Sequence, residues 1–154
     1  MITTVRGDLI KLAKEGKFSV IVHGCNCFRK MDGGLAKQIG LAFPEAYDAD
    51  LQTEYGVIDK LGSYSCHNYV VYDFGGDPCD LWVINAYTQF EPEPHFEYAA
   101  LRSCLQKIKR DFPVARIGMP KIGSGIGGGH WPTIEHLIQK ELWSKIVTIV
   151  EYEE

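Results

Sequence analysis

The sequence predicts an α/β domain in which helices cover both faces of a mixed, mainly parallel β-sheet. Two observations carry this prediction: short β-branched runs alternate with segments of helical periodicity along the chain, and two glycine-rich loops follow strand-like runs. At 154 residues the chain has the length of one domain, and no repeat, low-complexity tract or linker divides it. We therefore expect a single three-layer α/β/α domain over residues 1–154.

The N-terminal part of the chain predicts a strand, a helix and a second strand. Residues 2–6 form the first strand, and Asp8 stands where an N-cap would precede a helix that Gly16 closes. Residues 18–22 are a β-branched run typical of a strand buried on both faces. We expect this strand to end in a loop that begins at His23.

The middle of the chain predicts a helix and a β-hairpin. Gly33 and Gly34 precede apolar positions with helical spacing, which Pro44 interrupts or redirects. Residues 64–72 and 81–86 are strand-like runs separated by a turn-forming segment. We expect these two strands to pair with each other.

The C-terminal part predicts a helix, a strand, a helix and a closing strand. Helical periodicity extends over residues 96–110, and residues 116–119 form a short buried run. After a glycine-rich loop, Pro132 begins a helix that extends through residue 142, and residues 146–150 form the last strand. Such sheets bind ligands beyond the carboxyl ends of their strands, where both glycine-rich loops fall.

Composition and charge argue against several classes of protein. The chain is 45% hydrophobic and 23% charged with a mean hydropathy of -0.12, as in ordinary globular proteins. Its formal charge of -4 does not fit a protein that neutralises many nucleic-acid phosphates. No signal peptide or membrane-length apolar run is visible. We expect a cytoplasmic monomer without a membrane partner and, given the charge, without a nucleic-acid partner.

The five cysteines are odd in number and scattered, which fits reduced thiols better than a disulfide framework. Cys25 and Cys27 lie near His23 in a C-x-C spacing that could suggest zinc. A structural zinc site needs a second pair of ligands, and the sequence offers no such pair. We therefore expect neither a metal nor a cofactor.

The two glycine-rich loops are candidates for binding phosphate. Residues 32–35 (Asp-Gly-Gly-Leu) and residues 123–129 both combine glycines with the start of a helix, where backbone N–H groups can hold an anion. Neither loop is a Walker loop or a full dinucleotide fingerprint. Each loop alone could be a tight connection, but two in one small domain favour a diphosphate ligand.

Four segments resemble, in order and spacing, the motifs of macrodomains. They are residues 7–10 (Gly-Asp-Leu-Ile), 20–26 (ending in His-Gly-Cys-Asn), 33–36 (Gly-Gly-Leu-Ala) and 120–128 (beginning Pro-Lys-Ile-Gly-Ser-Gly). The details most resemble the branch that includes ADP-ribose 1''-phosphate phosphatases and terminal ADP-ribose hydrolases. The resemblance implies a macrodomain fold and a small-molecule ligand, ADP-ribose or ADP-ribose 1''-phosphate.

The resemblance also implies roles for individual residues. Asp8 would accept a hydrogen bond from the adenine amino group, with the Leu9 amide nearby, although an N-cap role alone accounts for Asp8 equally well. Asn26 would contact the distal ribose. The diphosphate would lie between the two loops, against Gly33, Gly34 and Leu35 on one side and Gly123, Ser124, Gly125, Ile126 and Gly127 on the other. Tyr87 and Ile21 are loose candidates for an adenine wall, with core packing as the simpler alternative.

Two hydrolase designs known among macrodomains do not match this sequence. One design uses a lysine after the third major strand and an acid in the second glycine loop. At the lysine position this chain has Gln89 or Thr88, and at the acid position it has Gly127. The other places an acid just after the first glycine loop, where Ala36 and Lys37 stand. Neither glutamine nor threonine supplies an amine nucleophile. Deacylation or glycohydrolysis by these two designs is therefore not expected.

His23 and Asp32 remain as candidate catalytic residues, with His130 a weaker one. A histidine can transfer protons near neutral pH and an aspartate can activate water for attack on a phosphate ester, although both could instead be structural. The leading hypothesis is a metal-independent ADP-ribose 1''-phosphate phosphatase. The alternatives are a non-catalytic reader of ADP-ribose and a hydrolase that removes ADP-ribose from protein or nucleic acid.

Overall fold

A computed structural model describes residues 2–92, 95–125 and 128–153. The strands are β1 (Ile2–Gly7), β2 (Val20–Asn26), β3 (Tyr64–Tyr72), β4 (Pro78–Gln89), β5 (Arg116–Met119) and β6 (Ile146–Tyr152). The helices are α1 (Leu9–Lys14), α2 (Gly34–Ala42), α3 (Pro44–Leu51), α4 (Tyr98–Asp111) and α5 (Trp131–Glu141), and a 3₁₀ turn covers Ile58–Lys60. This alternation confirms the α/β class.

The six strands form one mixed sheet in the order β1-β6-β5-β2-β4-β3. All neighbouring pairs are parallel except β3 and β4, which are the two arms of the predicted hairpin. Because β2 pairs with both β4 and β5, it lies inside the sheet, and its β-branched run is buried as expected. The carboxyl ends of five strands therefore meet at one edge.

Two apolar cores separate the sheet from its helices. On one face, α4 and α5 pack through Leu101, Leu105 and Ile134 against alternate residues of the central strands. On the other face, α1, α2 and α3 contribute Ala13 and Ile39, among others, to a second core. Burial of these faces supplies the main driving force for folding, and it confirms the three-layer arrangement.

The end of β2 differs from the sequence prediction. Strand β2 extends through Asn26, so His23 is a strand residue and not the start of a loop. Backbone pairing of His23 with Asn85 of β4 holds this polar segment in the sheet. Pro44 redirects the chain, as one of the two expected alternatives, because it starts α3 directly after α2 ends.

Candidate functional site

Two adjacent cavities lie at the edge where the parallel strands end. Their volumes are about 350 Å³ and about 820 Å³, in the usual range for small-molecule sites. Both cavities are lined by Gly34, Leu35, Pro120, Lys121 and Gly125. The two glycine-rich loops therefore form the junction between the cavities.

Asp8 lies in the larger cavity at the end of β1 and caps α1. Its Oδ1 accepts hydrogen bonds from the backbone N–H groups of Ile10 (2.9 Å) and Lys11 (3.2 Å). Both capping bonds end on Oδ1, so the cap does not use Oδ2. The two roles that the sequence left open for Asp8, capping the helix and accepting from a ligand, are therefore compatible.

The rest of the larger cavity comes from α1, α2, the second glycine loop and the end of β6. Its other lining residues include Gly7, Leu9, Ile10, Gln38, Ser124, Val150, Glu151 and Tyr152. Sequence reasoning identified Leu9 and Ser124 but missed the contribution of β6. The parallel pairing of β6 with β1 places Tyr152 beside Gly7, directly before Asp8. A prediction of strand order could have indicated these residues.

The first glycine loop leads into α2 and leaves open space above its backbone. Gly33 is the N-cap residue of α2, and Gly34 is its first residue with a φ of 55°. A Cβ atom on either glycine would meet nothing within 4 Å. Gly33 lines the smaller cavity. Open space over exposed backbone at a helix N-terminus is the geometry in which an anion can approach closely.

The second glycine loop is held in place by an aromatic side chain and by its own backbone. Gly123 has a φ of 77°, and a Cβ atom there would lie 2.5 Å from the ring of Phe96. The N–H of Gly129 donates to the carbonyl of Gly123 at 2.7 Å, and the hydroxyl of Ser124 donates to the carbonyl of Lys121 at 2.7 Å. The predicted contacts of Ile126 and Gly127 lie outside the described residues.

Asn26 ends β2 and lines the smaller cavity. Its side chain, however, holds the following turn. Oδ1 accepts from the N–H groups of Phe28 (2.9 Å) and Lys30 (3.4 Å), and Nδ2 donates to the carbonyl of Lys30 (2.9 Å). The amide therefore shapes the cavity wall whatever it contacts in a ligand.

The two candidate catalytic residues differ in their exposure. Asp32 is exposed and lines the smaller cavity, as does Lys30. His23 also borders this cavity but is only 1% exposed, and its Nε2 lies 2.6 Å from Oδ1 of Asn85. Burial lowers the pKa of His23 to about 4, although the bond to Asn85 opposes the shift. His23 is therefore neutral at pH 7.

A buried chain of hydrogen bonds determines which nitrogen of His23 carries the proton. The amide Nδ2 of Asn85 donates to Oγ of Ser65 (3.0 Å), so Oδ1 of Asn85 faces the imidazole. Oγ of Ser65 lies 2.7 Å from the Tyr87 hydroxyl, which donates to Oδ1 of Asp50 at 2.7 Å. Because Oδ1 of Asn85 can only accept, Nε2 of His23 is the protonated nitrogen.

The structure corrects the adenine-wall candidates. Tyr87 and Ile21 are 1% and 0% exposed and pack in the core beneath α1–α3. Neither residue lines either cavity. The apolar wall of the larger cavity comes instead from Leu35, Val150 and other residues near the carboxyl edge of the sheet. Residues of a buried strand interior are covered by helices, and only the strand ends reach the cavities.

The positions of four further polar residues are also defined. Gln89, where a catalytic lysine would stand, lines the smaller cavity together with Thr88. His130 is the N-cap residue of α5, and its Nδ1 lies 2.9 Å from Oγ1 of Thr133, outside both cavities. Nε2 of His95 lies 4.0 Å from a carboxylate oxygen of Glu91. Residues 93 and 94, between Glu91 and His95, lie outside the described part of the chain.

The cysteines are free thiols. Burial raises the pKa of Cys25, and its Sγ lies 3.7 Å from both ring nitrogens of His23. Among residues 2–92, 95–125 and 128–153, no group of three His, Cys, Asp or Glu side chains is placed to hold a metal ion. Within the same residues, no helix combines the length and the apolar character that crossing a membrane requires.

The chain is similar in sequence to a phage protein and to a bacterial glycohydrolase. Over 154 residues the chain is 41% identical to the uncharacterized 17.5 kDa protein in the tk-vs intergenic region of Enterobacteria phage T4, and the match covers 97% of this chain and 95% of that protein. Over 149 residues it is 28% identical to the DNA ADP-ribosyl glycohydrolase of Thermus aquaticus. That match covers 92% of this chain but only 38% of the relative. No protein-family model matches the chain.

Solved structures of macrodomains share the fold. The macrodomain of Thermus aquaticus DarG superposes with a TM-score of 0.68 at 23% identity, covering 100% of this chain and 99% of that chain. Thermosipho africanus DarTG in complex with ADP-ribose superposes with a TM-score of 0.71 at 19% identity, covering 98% of this chain and 41% of that chain. The macrodomain fold that the sequence predicts is therefore confirmed.

Proposed function

Since the chain belongs to the family of the uncharacterized 17.5 kDa phage T4 protein and has the macrodomain fold, we propose that it binds ADP-ribose in its two adjacent cavities. The observation that carries this proposal is the junction itself. Both glycine loops meet there, and the open backbone of Gly33 and Gly34 can approach a diphosphate. A cavity lies on each side of the junction for the two halves of such a ligand.

The charges of the lining residues favour one orientation of the ligand. The larger cavity contains the carboxylate of Asp8, which can accept a hydrogen bond from an amino group. The smaller cavity contains Lys30 and Asp32. We infer that the adenosine lies in the larger cavity, with Oδ2 of Asp8 as an acceptor for the adenine amino group. The distal ribose then lies in the smaller cavity, near Asn26.

We propose further that the protein hydrolyses ADP-ribose 1''-phosphate. Asp32 is exposed at the smaller cavity, where it can orient and deprotonate a water that attacks the terminal phosphorus. The bond from phosphorus to the ribose oxygen then breaks, and the leaving ribose oxygen takes a proton from solvent water, which yields ADP-ribose and inorganic phosphate. The ammonium of Lys30 can offset the charge of the phosphate. His23, which is neutral and buried, would support the cavity wall and could accept a proton only through Nδ1.

A second candidate is removal of ADP-ribose from DNA, which the similarity to the Thermus aquaticus DNA ADP-ribosyl glycohydrolase favours. In this case Gln89 and Thr88 stand in the smaller cavity at the position where one hydrolase design has its lysine, so water would attack the anomeric carbon directly. A reader that binds ADP-ribose without turnover is the third candidate.

Calorimetric titration with ADP-ribose tests the binding proposal, with AMP and ribose 5-phosphate as controls. We expect saturable one-to-one binding selective for ADP-ribose, and no binding at millimolar ligand would contradict the proposal. Incubation with ADP-ribose 1''-phosphate and with an ADP-ribosylated oligonucleotide then separates the three candidates. The phosphatase proposal is supported if the protein releases phosphate and if Asp32→Asn abolishes this release but still binds ADP-ribose. Release of ADP-ribose from the oligonucleotide supports the second candidate. If the protein shows neither activity, the third candidate, a reader, is supported.

A further inference from the structure

Lys121 occupies the junction between the two cavities. It directly follows Pro120 after the end of β5, and it lines both cavities. Among the described residues that line them, it is the only lysine or arginine common to both. Its Nζ lies 5.8 Å from the centre of the Trp131 ring, at the start of α5, which gives the side chain a second contact near the junction.

The ammonium of Lys121 is paired with a carboxylate from the neighbouring strand. Its Nζ lies 2.7 Å from Oε1 of Glu151, and Oε2 of Glu151 lies 4.0 Å from Nε of Arg6. The hydrogen bond from Lys121 lowers the pKa of Glu151, so this carboxylate is ionised at neutral pH. The Lys121 side chain is 41% exposed. Exposed pairs of this kind contribute little to stability, so the lysine can exchange partners at small cost.

We propose that Lys121 determines specificity for the diphosphate by leaving Glu151 and pairing with the bound phosphates. This inference rests on the proposed binding of ADP-ribose. Backbone N–H groups of the glycine loops supply directional hydrogen bonds, and Lys121 supplies the positive charge that those groups lack. Glu151 then acts as a competitor, because the phosphates must displace it from the ammonium.

This exchange has two consequences that a purely structural ion pair would not have. Removing Lys121 weakens binding of ligands that carry phosphates at the junction, and it reduces the dependence of affinity on salt, because one charge-charge interaction is lost. Removing the charge of Glu151 strengthens binding of the same ligands, but only while Lys121 is present. The two substitutions are therefore coupled.

The test is a double-mutant cycle in the full chain, with the dissociation constant of ADP-ribose measured by calorimetry at low and at moderate salt. Lys121→Met keeps the length of the side chain beside Trp131, and we expect it to weaken binding at least about tenfold with a flatter salt dependence. Glu151→Gln should tighten binding about threefold at low salt, and this gain should vanish in the double variant. Lys140→Met removes the same charge from an exposed position on α5 outside both cavities, and it should leave binding unchanged.

Each outcome bears on a different claim. Unchanged affinity in Lys121→Met overturns the role of Lys121. A gain from Glu151→Gln that persists in the double variant overturns the competition between the two partners. If Lys121→Met fails to fold, Glu151→Gln still tests the exchange, because unchanged or weaker binding contradicts it. Absence of ADP-ribose binding in the unmodified protein overturns the proposed function itself, and this inference with it.

Discussion

The ring of Phe96 leaves no room for a side chain at Gly123. A Cβ atom there would lie 2.5 Å from two ring carbons, and the φ of 77° at this glycine is one that other residues rarely adopt. Phe96 stands just before α4, so the second glycine loop is positioned by a residue from a distant part of the sequence. Gly125, two residues further along, has open space around it instead.

This contrast predicts that Gly123→Ala and Gly125→Ala have different effects. Gly123→Ala should lower the free energy of unfolding by about 2 kcal/mol, because both the contact with Phe96 and the backbone conformation are strained. Gly125→Ala should leave the thermal midpoint unchanged but weaken ADP-ribose binding, since its methyl group points into open space at a residue lining both cavities. Thermal unfolding and calorimetry measure the two effects. Equal loss of stability in both variants would contradict the distinction.

Substitution of Asp8 separates its two roles. Asn is as good an N-cap as Asp, so Asp8→Asn should change stability by less than about 0.5 kcal/mol, whereas Asp8→Ala should cost about 1 kcal/mol because both capping bonds are lost. An asparagine that keeps its oxygen on the helix turns its amino group toward the ligand, where it repels the adenine amino group. We therefore expect Asp8→Asn to weaken ADP-ribose binding in calorimetry, while the thermal midpoint stays close to that of the unmodified protein. Wild-type affinity in Asp8→Asn would assign Asp8 to the cap alone.

The buried imidazole of His23 predicts a loss of stability in mild acid. Its pKa in the folded protein is about 4, below the reference value of 6.5, so the unfolded chain binds the extra proton first as the pH falls. The contribution of neutral His23 is complete above pH 6.5 and is lost toward pH 4, an effect on the order of 3 kcal/mol. NMR titration should show a His23 ring signal, assigned by its absence in His23→Gln, that does not shift between pH 5.5 and 8. A midpoint near 6.5 would show that the imidazole is solvated.

Asn85 is expected to be the most sensitive polar position of the sheet. It is fully buried, and its amide bonds to His23, to Ser65 and to the carbonyl of Ala46. Asn85→Ala leaves buried groups without partners, so the free energy of unfolding should fall by about 3 kcal/mol. Asn68→Ala makes the same change on the half-buried strand β3 and should cost much less. Urea unfolding of both variants measures the two losses of stability. Similar losses would contradict a stabilising role for the hydrogen bonds that join Asn85 to His23 and Ser65.

Local signals made most of the fold predictable. The N-cap at Asp8, the glycine pair before α2 and the proline at the start of α5 each act within a few residues, and the structure places helix starts at all three. The β-branched run of β2 was also recognisable. Its end was not, because His23 and Asn26 are polar. Only pairing with β4 keeps these residues in the sheet, and that pairing is not local.

The sequence by itself determined the α/β class, the position of the glycine loops and the resemblance to macrodomains, because each of these depends on neighbouring residues or on motif order. The tertiary structure decided what lies beside those loops. The pairing of β5 with β6 brings Glu151 to Lys121, and the pairing of β2 with β4 buries His23 against Asn85. These partners are thirty or more residues apart in the chain. Only the order of strands in the sheet, which is set by burial of both faces, determines that they meet.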